Sequence, residues 1–195
     1  IQQKDFIERK QYMQQLRNLK DQNIIKVITG VRRCGKSTLL MMFANDIIKG
    51  GVDTNQIQFY NFEDLDTLSI GDIYQIHTHI KKRLINDKMN YIFLDEVQNI
   101  KDFQLLVDSL YIKPNVDIYI TGSNAYMLSG ELATLLSGRY VEISMLPLSF
   151  SEYSQLRNGN PDELFAEYMR NGGFPYIAQI DSSKEKTEMY LEGIY

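Results

Sequence analysis

The stretch that decides the fold is Gly30-Val31-Arg32-Arg33-Cys34-Gly35-Lys36-Ser37-Thr38. It satisfies the pattern G-x-x-x-x-G-K-[ST], in which a glycine-rich loop surrounds a phosphate chain with backbone N–H groups. Gly30 and Gly35 permit the backbone angles that such a loop needs. Lys36 adds a positive charge at the β- and γ-phosphates, and Ser37 offers a hydroxyl group to Mg²⁺.

The flanking residues support the same interpretation. An apolar run at residues 24–29 predicts a strand before the loop, and residues 38–44 predict the start of a helix after it. That helix directs the positive end of its dipole toward the bound anion. The sequence therefore predicts a nucleotide-binding loop formed by Gly30, Arg32, Arg33, Cys34, Gly35, Lys36, Ser37 and Thr38.

The composition is that of a globular chain. Its 195 residues suffice for one α/β domain with a small appendage, and 44% apolar residues with 24% charged residues argue against disorder. The net charge of −4 argues against a dedicated nucleic-acid surface. The densest basic run, Lys81-Lys82-Arg83, is better explained as a solvated helix face.

Cysteine usage and hydropathy favour the cytoplasm. A single cysteine excludes an internal disulfide and fits a reducing compartment. No apolar stretch has the length of a membrane span, and the first residues do not resemble a signal peptide, so we expect no membrane association. The sequence starts without methionine and stops within a helical pattern, so we expect a piece of a longer protein.

Strand and helix patterns alternate up to residue 148. Strand-like runs lie at 24–29, 57–62, 91–94, 116–120 and 139–146, and helical patterns lie at 3–21, 38–51, 70–86, 102–112 and 124–137. This alternation predicts an α/β fold with a five-stranded parallel sheet and helices on both faces. After Pro147 only helical patterns follow, at 149–158, 161–171 and 183–195. They predict a small helical lid.

A second constellation follows the third strand, at Asp95-Glu96. A buried strand that ends at the carboxyl edge of the sheet delivers side chains to the ligand crevice. Asp95 is then placed to hold Mg²⁺ together with Ser37. Glu96 points to the opposite side of the strand and suits a residue that polarises an attacking water molecule. Two surface acids at a turn are the alternative, which the upstream phosphate-binding loop disfavours.

The next strand ends in Thr121-Gly122-Ser123-Asn124. The Asn124 amide can hydrogen-bond the γ-phosphate or the water molecule, although Ser123 and Asn124 also suit the N-cap of the following helix. Both roles can coexist. We prefer Asn124 as a polar sensor of the phosphate.

Arg139 opens the fifth strand after Gly138. It can be a surface residue or a favourable charge at a helix C-terminus. In an oligomeric ATPase the same position projects toward the γ-phosphate of a neighbouring subunit as an arginine finger. The spacing alone does not decide between these alternatives.

Taken together, these motifs resemble the AAA-type ATP-binding proteins of bacteria and archaea. The more particular features are the strings 146–153, Leu-Pro-Leu-Ser-Phe-Ser-Glu-Tyr, and 171–175, Asn-Gly-Gly-Phe-Pro. Proteins of this group carry an additional C-terminal domain of uncharacterised function, often with a nuclease-like appearance. The resemblance covers residues 9–180 and implies a three-layer P-loop ATPase core at 1–148. A lid segment at 149–195 would then precede a further domain.

The resemblance also implies roles for individual residues. Lys36 and Ser37 would contact phosphate and Mg²⁺, and Asp95 would complete the metal site. Glu96 would be the catalytic base, Asn124 the sensor and Arg139 the finger. Gly173-Phe174-Pro175 is similar to the Gly-x-Pro element of signal-transducing ATPases, in which the proline contacts the nucleotide base. A plain turn between two helices is the alternative for this element.

Two functions follow from these expectations. The first is Mg²⁺-dependent ATP hydrolysis that moves the lid relative to the core and acts on an unknown partner protein or C-terminal domain. The second is a slow nucleotide-gated switch. A small-molecule kinase is disfavoured by Glu96, and a GTPase by the lack of an Asn-Lys-x-Asp segment. Arg139 as a finger predicts a homo-oligomer. Cys34 is explained better as packing than as a redox switch.

Overall fold

The computed structural model describes residues 7–123, 136, 138–179 and 184–193. The strands in these ranges are β1 Ile25–Gly30, β2 Ile57–Asn61, β3 Asn90–Asp95, β4 Val116–Ser123 and β5 Tyr140–Met145. All neighbours are parallel, in the spatial order β2-β3-β4-β1-β5. The predicted parallel sheet is confirmed, with every strand close to its predicted position.

Helices occupy the segments between the strands and the residues after them. Those within the described residues are α1 Lys10–Leu19, α2 Lys36–Lys49, α3 Leu65–Leu68, α4 Ile73–Lys82, α5 Phe103–Tyr111, α6 Phe150–Tyr153, α7 Pro161–Asn171, α8 Pro175–Gln179 and α9 Lys184–Glu192. Short 3-10 turns lie at Thr54–Gln56 and Val97–Asn99. The predicted helix at 124–137 falls, apart from Leu136, outside the residues that the structure describes.

Helices cover both faces of the sheet. On β3, Tyr91 and Phe93 pack with apolar side chains of α1 and α2, whereas Ile92 and Leu94 pack with those of α4 and α5. Successive side chains of a strand point to opposite faces, so one strand serves both cores. The interior strands β1 and β3 are buried along their whole length, which agrees with their largely apolar sequences.

Two predicted helices are shorter at their start than their sequence patterns suggested. Residues 7–9 are not helical, and α1 begins at Lys10. The predicted helix 70–86 begins only at Ile73, because the Asp72 side chain accepts hydrogen bonds from the N–H groups of Tyr74 and Gln75 and thereby caps it. Residues 65–68 form the separate short helix α3.

The segment predicted to be a lid contains a small separate apolar cluster. Leu148, Tyr153 and Ala178 are buried together. The predicted helix 149–158 is limited to α6, and turns and bends follow it from Ser154 onward.

Candidate nucleotide-binding and catalytic site

The phosphate-binding loop connects β1 to α2 in the conformation that its glycines allow. Gly30 has φ 156° and Gly35 has φ 104°. A side chain at Gly30 would place its Cβ atom 2.4 Å from the Met145 carbonyl oxygen, so only glycine fits between β1 and β5. The 14-residue helix α2 begins directly at Lys36, so its N-terminal N–H groups face the loop.

Cys34 packs inside this loop and is fully buried. Burial raises the pKa of its thiol, which disfavours the reactive thiolate. A redox switch, which needs a reactive thiolate, is thus disfavoured at this residue. Its place in the fold agrees with packing.

Lys36 is buried against the loop that it follows. Its Nζ atom donates to the Gly30 carbonyl oxygen at 3.3 Å and lies 3.5 Å from Glu96 Oε1. Both contacts are long for an ammonium group, whose charge-assisted hydrogen bonds are about 2.7–2.9 Å. The charge is therefore held in the site by weak contacts that a phosphate can replace.

Asp95 ends β3 and is fully buried. Its Oδ1 atom accepts a hydrogen bond from the Thr121 hydroxyl at 2.5 Å. Its Oδ2 atom is buried and has no hydrogen-bond partner among the described residues. Burial raises the pKa of this carboxyl group, and the Thr121 and Ser37 hydroxyls offset part of that effect.

A divalent cation fits this arrangement. A buried carboxylate oxygen without a partner is costly unless a cation or donor reaches it. Asp95 and Ser37 supply the hard oxygen ligands that Mg²⁺ prefers, and Mg²⁺ takes its remaining ligands from phosphate and water. Within the described ranges no cluster of three or more His, Cys, Asp and Glu side chains could hold a metal ion unaided. The chemistry of the site thus suits a metal ion that binds together with phosphate.

Glu96 has an unusual backbone conformation, with φ 54° and ψ 50°. Its N–H group donates to the Thr121 hydroxyl at 2.9 Å, and its Oε2 atom accepts a hydrogen bond from Gln98 Nε2 at 2.5 Å. A non-glycine residue in the left-handed region persists only where its surroundings fix it, and such residues concentrate at functional sites. The carboxylate is thus held beside Lys36 at the edge of the cavity.

The residues of the phosphate-binding loop line a cavity of about 400 Å³. This volume lies within the range of about 300–1,000 Å³ that is typical of ligand pockets. The lining also includes Glu96 and Arg9, together with the apolar side chains of Ile7, Met145, Leu148 and Pro175 and the ring of Tyr176. Charged and apolar groups thus line the same cavity, as a nucleotide with a phosphate chain and a base requires.

Pro175 is one of the apolar residues that line the cavity. Its Cγ atom would lie 3.9 Å from a Cβ atom built at Gly35, so the lid proline sits over the phosphate-binding loop. The preceding turn has its own structural reason. A Cβ atom at Gly173 would lie 2.1 Å from the Leu148 carbonyl oxygen, and the Leu148 N–H group donates to the Gly173 carbonyl oxygen at 2.7 Å. The turn at Gly173 and the position of Pro175 near the loop are therefore compatible with each other, and neither alternative for this element excludes the other.

Arg9 contacts the segment after β5 and the helix α6, which the helical pattern at 3–21 did not suggest. Its Nε atom donates to Glu152 Oε1 at 2.7 Å. Its Nη2 atom donates to the carbonyl oxygens of Leu146 at 3.0 Å and Pro147 at 3.3 Å. Arg9 therefore joins the cavity wall, the segment after β5 and the first lid helix.

Arg139 lies at the opposite end of the sheet from the phosphate-binding loop. Its carbonyl oxygen accepts from the Ile25 N–H group at 2.9 Å, and its Nη1 atom donates to Asp108 Oδ1 at 3.0 Å. Ile25 opens β1, whereas the loop follows Gly30 at about 3.3 Å per residue. Arg139 thus does not join the other predicted site residues of its own chain.

Asn124 lies outside the residues that the structure describes. β4 extends to Ser123 at the carboxyl edge of the sheet. The role of Asn124 as a sensor stays a prediction, as does its capping role.

Comparison with known proteins agrees with a nucleotide-binding site of this kind. A family model described as an AAA domain matches residues 22–154. An uncharacterized protein of Haemophilus influenzae is 41% identical over 198 residues, which cover 98% of this chain and 49% of that protein. Uncharacterized protein MJ1544 of Methanocaldococcus jannaschii is 32% identical, with 89% of this chain and 41% of that protein covered. The chain thus spans about half or less of the length of these relatives.

A solved structure shares the fold. The Walker-type ATPase PABY2304 of Pyrococcus abyssi superposes with a TM-score of 0.65 and 15% identity, over 98% of this chain and 74% of that one. The described helices include none that is long and apolar enough to span a membrane.

Proposed function

Since this chain belongs to the AAA domain family, we propose that it binds ATP with Mg²⁺ and hydrolyses the bond between the β- and γ-phosphates. The observation that carries the proposal is the buried Oδ2 atom of Asp95, which has no hydrogen-bond partner among the described residues. The Ser37 hydroxyl is close enough to the same carboxyl group to lower its pKa, and Glu96 is the next residue in the chain. A buried carboxylate without a partner suits a metal site, and an adjacent second carboxylate suits a base.

Each residue has a distinct part in this reaction. The N–H groups of the loop and the Lys36 ammonium group hold the phosphates, and Asp95 and Ser37 hold the metal ion. Bound Mg²⁺ neutralises charge that develops on the phosphate oxygens. Glu96 accepts a proton from the water molecule that attacks the γ-phosphorus atom, while the bond to the β-phosphate oxygen breaks and ADP leaves.

The cavity also offers a place for the adenine base of ATP. Pro175 lies near Gly35 of the loop, and apolar residues line the cavity around it. Asn124 would sense the γ-phosphate. We assign residues 1–148 to the ATPase core and 149–195 to the lid, and nucleotide state would set the angle between them through Arg9 and its contact with Glu152. The movement would act on a partner protein or a further C-terminal domain in the cytoplasm.

The direct test measures ATP binding and Mg²⁺-dependent phosphate release. Lys36→Ala should lose ATP binding. Glu96→Gln should retain binding while kcat falls by about 10²–10⁴-fold, the usual contribution of a general base. Glu163→Gln is the matched control, because Glu163 is exposed in the first turn of α7 and does not line the cavity. Equal turnover of Glu96→Gln and wild type contradicts hydrolysis at this site.

A second candidate is a slow switch that retains its nucleotide. The hydrogen bonds of Arg9 with Leu146, Pro147 and Glu152 favour such a switch, because they link the proposed lid to the cavity lining. A switch would bind ATP or ADP tightly and release phosphate no faster than Glu96→Gln. Repeated turnover by the wild type would exclude the slow switch and support the cycling ATPase.

The finger role of Arg139 requires a homo-oligomer, since this residue lies far from its own loop. Mixing Arg139→Ala with Glu96→Gln protein should restore some activity at mixed interfaces. No rescue in a mixture that demonstrably co-assembles leaves Arg139 as the surface partner of Asp108.

A further inference from the structure

The side-chain amide of Gln98 has a fixed orientation beside the proposed base. Its Nε2 atom donates to Glu96 Oε2 at 2.5 Å. Its Oε1 atom is buried and has no hydrogen-bond partner within the described part of the chain. The reverse orientation would bring two acceptors together, so the carboxylate determines which way the amide points.

The turn that carries Gln98 is anchored on both sides. The Asn99 N–H group donates to the Glu96 carbonyl oxygen at 3.1 Å, and the Ile100 N–H group donates to that of Val97 at 3.2 Å. Val97 and Ile100 are buried in the core beneath α4 and α5. Gln98 is therefore attached to a rigid support, and it can hold the carboxylate in one place.

Lys36, the other donor near the Glu96 carboxylate, is also expected to bind phosphate. Lys36 Nζ lies 3.5 Å from Glu96 Oε1, but a lysine at this position of a phosphate-binding loop turns to the β- and γ-phosphates when nucleotide binds. The backbone of Glu96 stays fixed through Thr121. Among the described residues, Gln98 is then the group that still restrains the carboxylate itself.

We propose that Gln98 is a positioning residue that holds the Glu96 carboxylate toward the attacking water molecule once Lys36 has turned to the phosphates. This inference rests on the proposed ATP hydrolysis and assigns a further residue to it. Gln98 acts through Glu96. It affects the chemical step and not the binding of ATP.

The first test is Gln98→Leu, which keeps the size of the side chain and removes the donor. We expect kcat to fall by about 10- to 100-fold, as for a misplacement of a reacting group by about 1 Å, with the Kd for ATP unchanged. Gln104→Leu is the matched control on α5, because Gln104 does not line the cavity and lies in a helix away from the proposed base. Its kcat should equal that of the wild type.

A second readout does not depend on turnover. ADP with Mg²⁺ and tetrafluoroaluminate imitates the transferring phosphoryl group with its attacking water molecule. Gln98→Leu should weaken the binding of this complex by a similar factor in the wild-type background. It should have no further effect in the Glu96→Gln background, because the group that Gln98 positions is then absent.

Three outcomes overturn the inference. Unchanged kcat and unchanged tetrafluoroaluminate binding remove any positioning role. A parallel loss of kcat, ATP affinity and thermal stability marks a structural role. A wild type that binds ATP without turnover overturns the proposed hydrolysis and this inference together. If Gln98→Leu does not fold, Gln98→Asn, which withdraws the donor by one methylene group, should show the same loss of kcat at unchanged ATP affinity.

Discussion

The two ends of the parallel sheet each bury a lysine and an aspartate, and they differ in how these charges are satisfied. At the amino end, Lys26 in β1 forms an ion pair with Asp117 in β4 and also donates to the Gln22 carbonyl oxygen at 2.8 Å. The second carboxylate oxygen of Asp117 accepts from the Asp21 N–H group at 2.9 Å and from the Tyr119 hydroxyl at 2.7 Å. Both oxygens of Asp117 are thus bonded.

The carboxyl end lacks this completeness. Lys36 makes contacts of 3.3 and 3.5 Å, and Asp95 has one bonded and one unpartnered oxygen. Burial raises the pKa of both Asp95 and Asp117, so both sites pay for desolvation. At the amino end, hydrogen bonds and an ion pair reach both oxygens of Asp117, whereas at the carboxyl end the Thr121 and Ser37 hydroxyls offset only part of the cost and one oxygen of Asp95 has no partner among the described residues. The comparison indicates that the amino end serves stability, whereas the carboxyl end is prepared for a ligand.

The largest expected effect comes from breaking the satisfied pair. Lys26→Met leaves Asp117 buried without its cation and should lower the free energy of unfolding by about 3–5 kcal/mol, measured by urea denaturation. ATP affinity per folded molecule should not change, because Lys26 lies at the far end of β1.

Lys36→Met is the matched control, since it removes the buried lysine of the other end. It should lower the free energy of unfolding by less than about 1 kcal/mol while it abolishes ATP binding. Equal losses of stability in the two variants would contradict the distinction between the two ends.

The next effect has the opposite sign. Because burial raises the pKa of Asp95, the folded protein binds this proton more tightly than the unfolded chain. The charge of Asp95 therefore costs stability, and the cost grows as the pH rises from the unfolded pKa through the folded one. Asp95→Asn removes it and should raise the free energy of unfolding by about 1–2 kcal/mol at neutral pH without nucleotide.

Denaturation with and without ATP and Mg²⁺ completes this measurement. The wild type should gain stability from Mg²⁺ with ATP, and Asp95→Asn should gain much less. The exposed Asp66, in the first turn of α3, provides the control Asp66→Asn, whose stability should follow the wild type in both conditions. A destabilised Asp95→Asn protein would show that the carboxylate supports the fold.

The strands and the phosphate-binding loop were predictable because their signals are local. Continuous apolar runs identify buried parallel strands, and the loop needs glycines at fixed spacing. The position of Asp95 and Glu96 at the carboxyl end of β3 was predictable from the buried strand before them, and their roles in the ligand crevice stay predictions. The ion pair between Lys26 and Asp117 was not predictable from the sequence. These residues are 91 positions apart and meet only because β1 lies beside β4.

The contacts that complete the candidate site depend on tertiary structure in the same way. Thr121 reaches Asp95 because Leu94 pairs with Ile120 across β3 and β4, so the next residues are neighbours. Arg9 was predicted to belong to a helix, but it precedes α1, and its side chain bonds Glu152, which is 143 positions away in the sequence. Gln98 follows Glu96 closely, but its role depends on a turn that no periodicity reveals.

The smallest effect is expected for an exposed pair, which sharpens the comparison with the buried ones. Arg17 in α1 donates from Nε and Nη2 to the two carboxylate oxygens of Asp46 in α2, at 2.9 and 2.7 Å. The hydrogen bond from Arg17 lowers the pKa of Asp46. The contribution of Asp46 to stability is therefore present above its unfolded pKa and is lost as the pH falls through the folded one.

Asp46→Asn should lower the free energy of unfolding by less than about 1 kcal/mol at neutral pH and low salt, because water and ions screen an exposed pair. High salt should remove most of this difference, whereas the loss caused by Lys26→Met should persist at high salt. Urea denaturation of both variants at the two salt concentrations makes the comparison. A salt-independent loss for Asp46→Asn would mean that geometry, and not burial, decides what an ion pair contributes in this protein, and the contrast between the two ends of the sheet would then need another cause.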